Sequence, residues 1–212
     1  MTDFFAVNGD IVPAHEAKIS VLDLGFLRGV GAFETFRTYG GGHPHALGLH
    51  LERLWASAAA VGMGPCFDEA DLRRIVAEIR RRSGHDELRV NLVVTPGSHT
   101  HGVFGADTPT WVVIARDLHA PPDALYRDGA TAVTFRAARH LPEHKTTNYL
   151  TGRVGILAAE QAGAHEAFYV DDDGLVTEGV TSNLCVVRGT TVISPVDGCL
   201  QGITRQGLRP LA

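Results

Sequence analysis

The chain has 212 residues, of which 44% are apolar and 20% are charged, and its formal net charge is -5 at pH 7. This length and composition predict a globular protein of one large or two small domains. A negative net charge without a basic block argues against nucleic acid as the main partner, and no run approaches the roughly 20 apolar residues of a membrane helix.

Cysteine usage and the amino terminus bear on location. Cys66, Cys185 and Cys199 are too few and too scattered for a disulfide framework or a C-x-x-C metal site. Reduced thiols fit the cytoplasm, and the start MTDFFAVNGDIVPAHEAK lacks the basic and long apolar segments of a signal peptide. We therefore expect a cytoplasmic protein with no membrane association.

The first half of the chain alternates strands with amphipathic helices. The predicted elements are, in chain order, an Asn-Gly hairpin in FFAVNGDIV, a strand from Gly31 to Gly41, helices in LHLERLWASAAAV and DEADLRRIVAEIRRR, and strands in ELRVNLVV and TWVVIARDL. Asp68 is the expected N-cap of the second helix. The next segment, HAPPDALYRDG, contains two prolines, so we predict a linker at residues 118–127 between a small domain, 1–117, and a larger one, 128–212.

The second half is also mixed. Its predicted elements are a strand in ATAVTFRAARH, a helix in NYLTGRVGILAAEQAGA, a hairpin in EAFYVDDDGLVTEG that turns at Asp173 and Gly174, two strands in TSNLCVVRGTTVISP and a helix opening in GITRQGLRPLA. Strands and helices mixed with prominent antiparallel hairpins favour an α+β fold with two lobes.

Lysine is rare in this chain. Of 19 Lys plus Arg residues, only Lys18 and Lys145 are lysine. An amine can lose its proton and form a Schiff base with an aldehyde, whereas a guanidinium cannot. Lys145 is predicted to follow a strand, and Arg136, Arg139, His140 and His144 lie near it in sequence. Because nearby positive charges lower the pKa of an amine, Lys145 is a candidate nucleophile, with a solvent-exposed loop lysine as the alternative.

Polar residues later in the chain could hold an anionic cofactor. Glu178 ends a predicted hairpin strand, where a carboxylate could bind a protonated ring nitrogen or simply face water. Thr181 follows it closely, and Ile203 and Thr204 open the last predicted helix, whose free N–H groups would suit an anion. Arg53 lies on a helix whose other residues face the core, so it points either at an anion or at solvent. Together these groups supply what a pyridoxal phosphate site needs.

The order of these motifs resembles the class IV aminotransferases, the fold-type IV pyridoxal phosphate enzymes. This group includes branched-chain and D-amino acid aminotransferases and aminodeoxychorismate lyase. The resemblance is carried by DLGFLRGVGAFETFRTYGG, HLERLWASA, CLQGITRQ and above all by KTTNYLTGRVGILAAEQAGAHEAFYVDDDGLVTEGVTSNLCVV. It implies a two-lobed α+β fold, pyridoxal 5'-phosphate as cofactor, amino acids and 2-oxo acids as small-molecule substrates, and a homodimer.

The resemblance also implies roles for matching residues. Lys145 would hold the cofactor covalently and later shuttle a proton, and Glu178 would bind the pyridine nitrogen. The remaining implied contacts are Arg53, Thr181, Ile203 and Thr204 to the phosphate, Tyr149 to the ring hydroxyl, and Phe33, Thr35 and Arg37 on the substrate side.

The chain departs from the family pattern in three places. Family chains continue past the GITRQ helix and carry another phosphate-binding threonine there, so we expect the C-terminal part of the larger lobe to be missing after Ala212. The segment Arg28–Gly31 reads RGVG where family members commonly have GDG. The loop TPGSHTHGVFG holds His99 and His101 but no arginine of the kind that D-amino acid aminotransferases use, and without a third ligand the two histidines do not predict a metal site.

Three functions remain open at this point. The first is a pyridoxal phosphate aminotransferase, with branched-chain specificity favoured by Tyr149 and Arg37. The second is aminodeoxychorismate lyase, which releases 4-aminobenzoate and pyruvate. The third is a truncated, non-catalytic homologue.

Overall fold

A computed structural model describes residues 3–208, which divide into two compact units. The first unit comprises the residues up to His119 together with His144–Thr147, and the second comprises Ala120–Glu143 and the residues from Asn148 onward. The sequence assigned Lys145 to the later domain, whereas the short segment His144–Thr147 belongs to the first unit. Within residues 3–208, no helix has the length and apolar character needed to cross a membrane.

The first unit is built on an antiparallel sheet. Its elements are β1 (Phe4–Val7), β2 (Asp10–Pro13), α1 (Leu24–Arg28), β3 (Ala32–Tyr39), β4 (His43–Pro44), α2 (Leu47–Ala59), α3 (Glu69–Ser83), β5 (Leu88–Thr95), β6 (His99–His101), β7 (Gly105–Ala106) and β8 (Thr110–Asp117). The main sheet has the strand order β2-β1-β8-β5-β3-β4, and every neighbouring pair is antiparallel. Strands β6 and β7 form a small hairpin of their own.

One face of this sheet forms the core of the first unit. Along β3 the side chains of Ala32, Glu34, Phe36 and Thr38 are buried, while the residues between them and Tyr39 are at least partly exposed. This alternation follows from the period of two in a strand. Helices α2 and α3 supply apolar residues at helical spacing to the same core cluster as the buried strand residues. The opposite face, which carries the odd-numbered residues of β3, is therefore the one available for chemistry.

The second unit contains a smaller sheet and one longer helix. Its elements are α4 (Asp123–Arg127), β9 (Ala132–Arg136), α5 (Leu150–Gln161), β10 (Glu166–Val170), β11 (Val176–Gly179), β12 (Val186–Arg188), β13 (Thr191–Ile193) and α6 (Ile203–Leu208). Strand β10 pairs in parallel with β9 and antiparallel with β11, and β12 pairs with β13 as a hairpin. Helix α5 provides the crossover that parallel strands require and packs Ala159 into a cluster with Ala167, Tyr169 and Val180.

Most predicted elements are present, and the misses are short. The Asn-Gly hairpin is confirmed, with positive φ angles at Asn8 and Gly9, and the side chain of Asp68 accepts the N-cap hydrogen bond of α3 from the Asp71 amide. Strands β1 and β2 were predicted from the Asn-Gly turn between them, whereas helix α1 and the β6–β7 hairpin, which are comparably short, were not predicted. Helix α4 lies inside the predicted linker, and the end of the GITRQGLRPLA segment lies outside the described residues.

Candidate active site

The main chain around Lys145 is hydrogen-bonded to the start of β3 and does not form an isolated loop. The Phe33 amide donates to the Lys145 carbonyl at 2.9 Å, and the Thr147 amide donates to the Gly31 carbonyl at 2.9 Å. On its other side, the Lys145 amide donates to Oγ of Ser57 at 2.9 Å. Ser57 is fully buried on α2, so the backbone of the lysine is fixed to both a strand and a helix.

The amine of Lys145 lies over an aromatic ring. Its Nζ is 4.5 Å from the ring centroid of Phe33, on the half-buried face of β3. An aromatic face attracts an ammonium group and at the same time displaces part of its water. Phe33 therefore holds the amine in a partly apolar setting.

Gly31 allows this segment to approach β3 closely. A Cβ atom on Gly31 would lie 2.7 Å from the carbonyl oxygen of Val94 and 3.1 Å from Oγ1 of Thr147. The first distance is too short for any side chain, because the contact is with backbone that cannot move away. A glycine is thus required where the RGVG segment enters β3.

Arg53 belongs to a buried charge cluster on the core side of the same strand. Its Nε and Nη2 donate to the two carboxylate oxygens of Glu34 at 2.6 Å and 2.8 Å, and Nδ1 of His50 lies 2.7 Å from Glu34 Oε2. Burial alone would raise the pKa of Glu34, but the hydrogen bonds and positive charges of Arg53 and His50 outweigh it and lower the pKa. Arg53 thus contacts the carboxylate of Glu34, and its contact with a cofactor phosphate stays a prediction.

Thr35 and Arg37, the other two substrate-side residues predicted on β3, lie on the half-buried face with Phe33. Oγ1 of Thr35 accepts a hydrogen bond from Nδ2 of Asn91 at 3.2 Å. The guanidinium carbon of Arg37 is 3.9 Å from the ring centroid of Tyr39, and its buried Nε has no hydrogen-bond partner among the described residues.

Glu178 is the buried carboxylate of the second unit. Its Oε1 accepts from Nε of Arg139 at 2.7 Å, and its Oε2 accepts from the Leu200 amide at 3.0 Å and from Nδ2 of Asn183 at 3.4 Å. The glutamate is only 4% exposed, so the turn glutamate facing water that the sequence allowed is ruled out. An ion pair and a main-chain donor together stabilise a buried charge that would otherwise be costly.

Two tyrosines lie in or against the small core cluster of this unit. Tyr149 is the N-cap residue of α5 and packs against the small core cluster that contains Tyr169. Burial, opposed by the charge of Arg139, raises the pKa of Tyr169 to about 12, with smaller upward contributions from Tyr149 and Glu178. Tyr169 therefore stays a neutral phenol at ordinary pH. Nothing in its local sequence distinguished it from an apolar strand residue.

The predicted phosphate-binding hydroxyl of Thr181 donates to a carboxylate. Its Oγ1 donates to Oε2 of Glu166 at 2.7 Å, its amide donates to the same atom at 3.2 Å, and Ser182 Oγ does so at 3.0 Å. An anion at Thr181 would have to replace Glu166 as the acceptor, because like charges repel in so small a space.

The start of α6 lies beside the loop that supplies the Leu200 amide. Ile203 is buried and Thr204 is exposed. Arg205, whose role the sequence did not reveal, is 9% exposed and donates to the carbonyl of Pro195 at 2.5 Å and to Oε1 of Gln201 at 2.7 Å. Arg205 therefore connects the loop around Pro195 to helix α6 and helps to hold the Leu200 amide that donates to Glu178.

The predicted site residues thus fall into two sets. The first unit holds Lys145, Phe33, Thr35, Arg37 and Arg53, and the second unit holds Tyr149, Glu178, Thr181, Ile203 and Thr204. Residues 3–208 contain no group of three or more His, Cys, Asp or Glu side chains placed to hold a metal ion.

Known proteins resemble this chain over nearly its whole length. The family model described as amino-transferase class IV matches residues 31–212. A proposed branched-chain-amino-acid aminotransferase of Methanocaldococcus jannaschii is 33% identical over 97% of this chain and 73% of that protein, and a D-alanine aminotransferase of Bacillus licheniformis is 32% identical over 93% and 71%. The crystal structure of a T.th. branched-chain amino acid aminotransferase with pyridoxamine 5'-phosphate has a TM-score of 0.88 and 28% identity, covering all of this chain and 74% of that one.

Proposed function

The chain belongs to the amino-transferase class IV family, and we propose that it uses pyridoxal 5'-phosphate to move an amino group between an amino acid and a 2-oxo acid. Transfer of an amino group is the activity for which the Methanocaldococcus jannaschii and Bacillus licheniformis relatives are named. The cofactor, the roles of individual residues and the choice of amino acid are our inference.

The residues present fit this cofactor chemically. Lys145 offers an amine held over Phe33, and Glu178 offers a buried carboxylate that Arg139 and Leu200 keep in place. When bound, pyridoxal phosphate supplies an aldehyde for an amine and a ring that withdraws electrons from the α-carbon of an amino acid. The observation that carries the proposal is the backbone fixation of Lys145, because one of only two lysines in the chain is held rigidly between β3 and α2.

Each residue then has a stated task. Lys145 would bind the cofactor aldehyde through Nζ, and its amine would afterwards move a proton from the substrate α-carbon to the aldehyde carbon of the cofactor. Glu178 pairs with the protonated pyridine nitrogen. The phosphate contacts we propose are Arg53, Thr181, Ile203 and Thr204, with Tyr149 at the ring hydroxyl and Phe33, Thr35 and Arg37 towards the substrate.

The cofactor role of Lys145 has a direct test. The purified protein is mixed with pyridoxal phosphate, its absorbance spectrum is recorded, and the mixture is reduced with borohydride before peptide mass spectrometry. We expect an adduct on Lys145, no adduct and no turnover in Lys145→Arg, and an unchanged adduct in the control Lys18→Arg. An adduct found on Lys18, or a protein that stays colourless with excess cofactor, would end the proposal.

The reaction has a separate test. Glutamate formation from 2-oxoglutarate is measured with L-leucine and with D-alanine as amino donors, and 4-aminobenzoate release is measured from aminodeoxychorismate. We propose a branched-chain L-amino acid as donor, because Tyr149 and Arg37 match branched-chain members at those positions. Release of 4-aminobenzoate without glutamate formation would identify a lyase instead.

Our proposal for assembly rests on the family resemblance, and our proposal for location rests on cysteine usage. We propose a homodimer in the cytoplasm, and sedimentation at several protein concentrations tests the first part.

A further inference from the structure

The carboxylate of Glu178 has a different kind of partner on each oxygen. Its Oε1 accepts from the guanidinium of Arg139, whereas its Oε2 accepts from the Leu200 amide and from the side-chain amide of Asn183. All four residues belong to the second unit. A cation therefore holds one oxygen, and two neutral amide donors hold the other.

These donors leave one acceptor position on the carboxylate. A carboxylate offers about four lone-pair positions, two on each oxygen. The two amides fill both positions on Oε2, and Arg139 fills one position on Oε1. No other group in the described part of the chain donates to Glu178. The position that remains for a further donor is thus on Oε1.

Asn183 supports both donors to Oε2. Its Nδ2 donates to Oε2 of Glu178 at 3.4 Å and to the Leu200 carbonyl at 2.9 Å. Leu200 in turn donates its own amide to Oε2 at 3.0 Å. Arg205 also donates to the Leu200 carbonyl, at the longer distance of 3.3 Å. Asn183 therefore contacts the carboxylate directly and also fixes the buried residue that supplies its main-chain donor.

The side-chain amide of Asn183 is held in a single orientation. Its nitrogen faces the Glu178 carboxylate and the Leu200 carbonyl, and both of these groups accept hydrogen bonds. Its Oδ1 lies against Gly202, where an added Cβ atom would overlap it. The flipped amide would place an oxygen against two acceptors, so the surroundings fix the donor towards Glu178.

Arg139 shows why these amide donors matter. A guanidinium binds a carboxylate most strongly when two parallel N–H groups contact both of its oxygens. Here the ion pair between Arg139 and Glu178 joins Nε to Oε1 at 2.7 Å, while Oε2 is turned towards the two amides. Without those amides the carboxylate could rotate so that Arg139 contacts both oxygens, and the open position on Oε1 would be filled.

We propose that Asn183 is a positioning residue for Glu178, an inference that rests on the proposed aminotransferase function. Asn183 prevents the carboxylate from pairing with Arg139 through both oxygens, and it thereby keeps an acceptor position on Oε1 for the protonated ring nitrogen of pyridoxal phosphate. The neighbouring hydroxyls of Thr181 and Ser182 donate to Glu166 instead, so this task belongs to Asn183 within its loop.

Two cofactor analogues test the proposal on the full chain. The probes are pyridoxal phosphate and its 1-deaza analogue, in which a C–H group replaces the ring nitrogen. Absorbance titration gives a dissociation constant for each probe, and the ratio of the two constants measures recognition of the ring nitrogen. We expect the wild type to prefer pyridoxal phosphate at least about tenfold, because a hydrogen bond between charged groups is strong.

Asn183→Ala should lower this preference at least about threefold, because the carboxylate is then free to rotate towards Arg139. The control is Ser194→Ala, which removes a hydrogen bond from another side chain of the same unit to a main-chain carbonyl, that of Leu184 at 2.6 Å. This control should keep the wild-type preference. Asn183→Ser, whose shorter side chain cannot span both acceptors, should behave like Asn183→Ala and provides a second variant if alanine impairs folding.

The ratio separates positioning from stability. If Asn183 has only a structural role, Asn183→Ala weakens both probes equally and leaves the ratio unchanged, and this result would overturn the inference. Glu178→Gln tests the underlying assignment, since it should also lower the preference for pyridoxal phosphate. A preference that persists in Glu178→Gln would remove the proposed role of Glu178, whereas one that falls in Glu178→Gln and persists in Asn183→Ala would refute the role of Asn183 alone.

Discussion

Replacement of Ser57 by alanine tests whether α2 fixes the backbone of Lys145. Oγ of Ser57 accepts from the Lys145 amide at 2.9 Å and donates to the Arg53 carbonyl at 2.8 Å, and the residue is fully buried. Alanine removes both bonds and leaves the Lys145 amide without this acceptor. A donor left unsatisfied in a buried position costs about 1–3 kcal/mol.

Ser83→Ala is the matched control for this variant. Ser83 is also a buried helix serine, and among the residues that the structure describes its Oγ donates only to the Arg80 carbonyl, at 3.3 Å. Both substitutions replace a buried helix serine by alanine and remove its hydrogen bond to a helix carbonyl, so the difference between them mainly reports the bond to Lys145. We expect Ser57→Ala to be less stable than Ser83→Ala by about 1–3 kcal/mol, which lowers the urea midpoint by about 0.5–1.5 M at an m-value of about 2 kcal/mol/M.

The same variant has a functional readout. If the bond positions the amine, Ser57→Ala reacts with pyridoxal phosphate more slowly than Ser83→Ala does at a urea-free, fully folded condition. Equal urea midpoints for the two variants, or equal reaction rates, would show that Ser57 does not position Lys145.

Three further predictions concern the charge clusters and Gly31. Since the pKa of Glu34 is lowered in the folded state, its stabilising effect is present above the unfolded pKa near 4.5 and is lost as pH falls through the folded pKa. Glu34→Gln should therefore lower the free energy of unfolding by about 3–5 kcal/mol at pH 7 and weaken the fall in stability towards acid pH. An unchanged dependence of stability on acid pH would contradict this. Glu178→Gln should still bind pyridoxal phosphate yet turn over far more slowly, and near-normal rates would show that the ring nitrogen is handled otherwise. Gly31→Ala should lose about 1–3 kcal/mol in urea unfolding because its Cβ meets the Val94 carbonyl, whereas Gly48→Ala, which meets open space in α2, should gain about 0.5–1 kcal/mol.

Strand β3 shows where prediction from sequence succeeds and where it stops. The alternation in AFETFRTY is enough to predict a strand with two unlike faces, and it places Glu34 on the buried face with Ala32 and Phe36. It says nothing about what compensates the buried carboxylate. His50 and Arg53 do so from α2, three residues apart on one helical face, and only the packing of that helix on the sheet brings them to Glu34.

Lys145 shows the same division. Its rarity and the family motif around it indicate its chemistry, because composition and motif order are properties of the chain itself. Its attachment to Phe33 and Ser57, residues more than 80 positions earlier, depends on a short segment joining the first unit, which no local pattern encodes.

The amino-acid sequence by itself predicted the helices and strands longer than five residues, the family and the candidate reactive amine, since periodicity, turn residues and motifs are read along the chain. The tertiary structure alone decided which charges meet, namely Glu34 with Arg53 and Glu178 with Arg139. The physical reason is that an ion pair is fixed by the strand register and by the packing of segments far apart in the chain. The residue types next to a charged side chain in sequence do not specify which residue will be its partner.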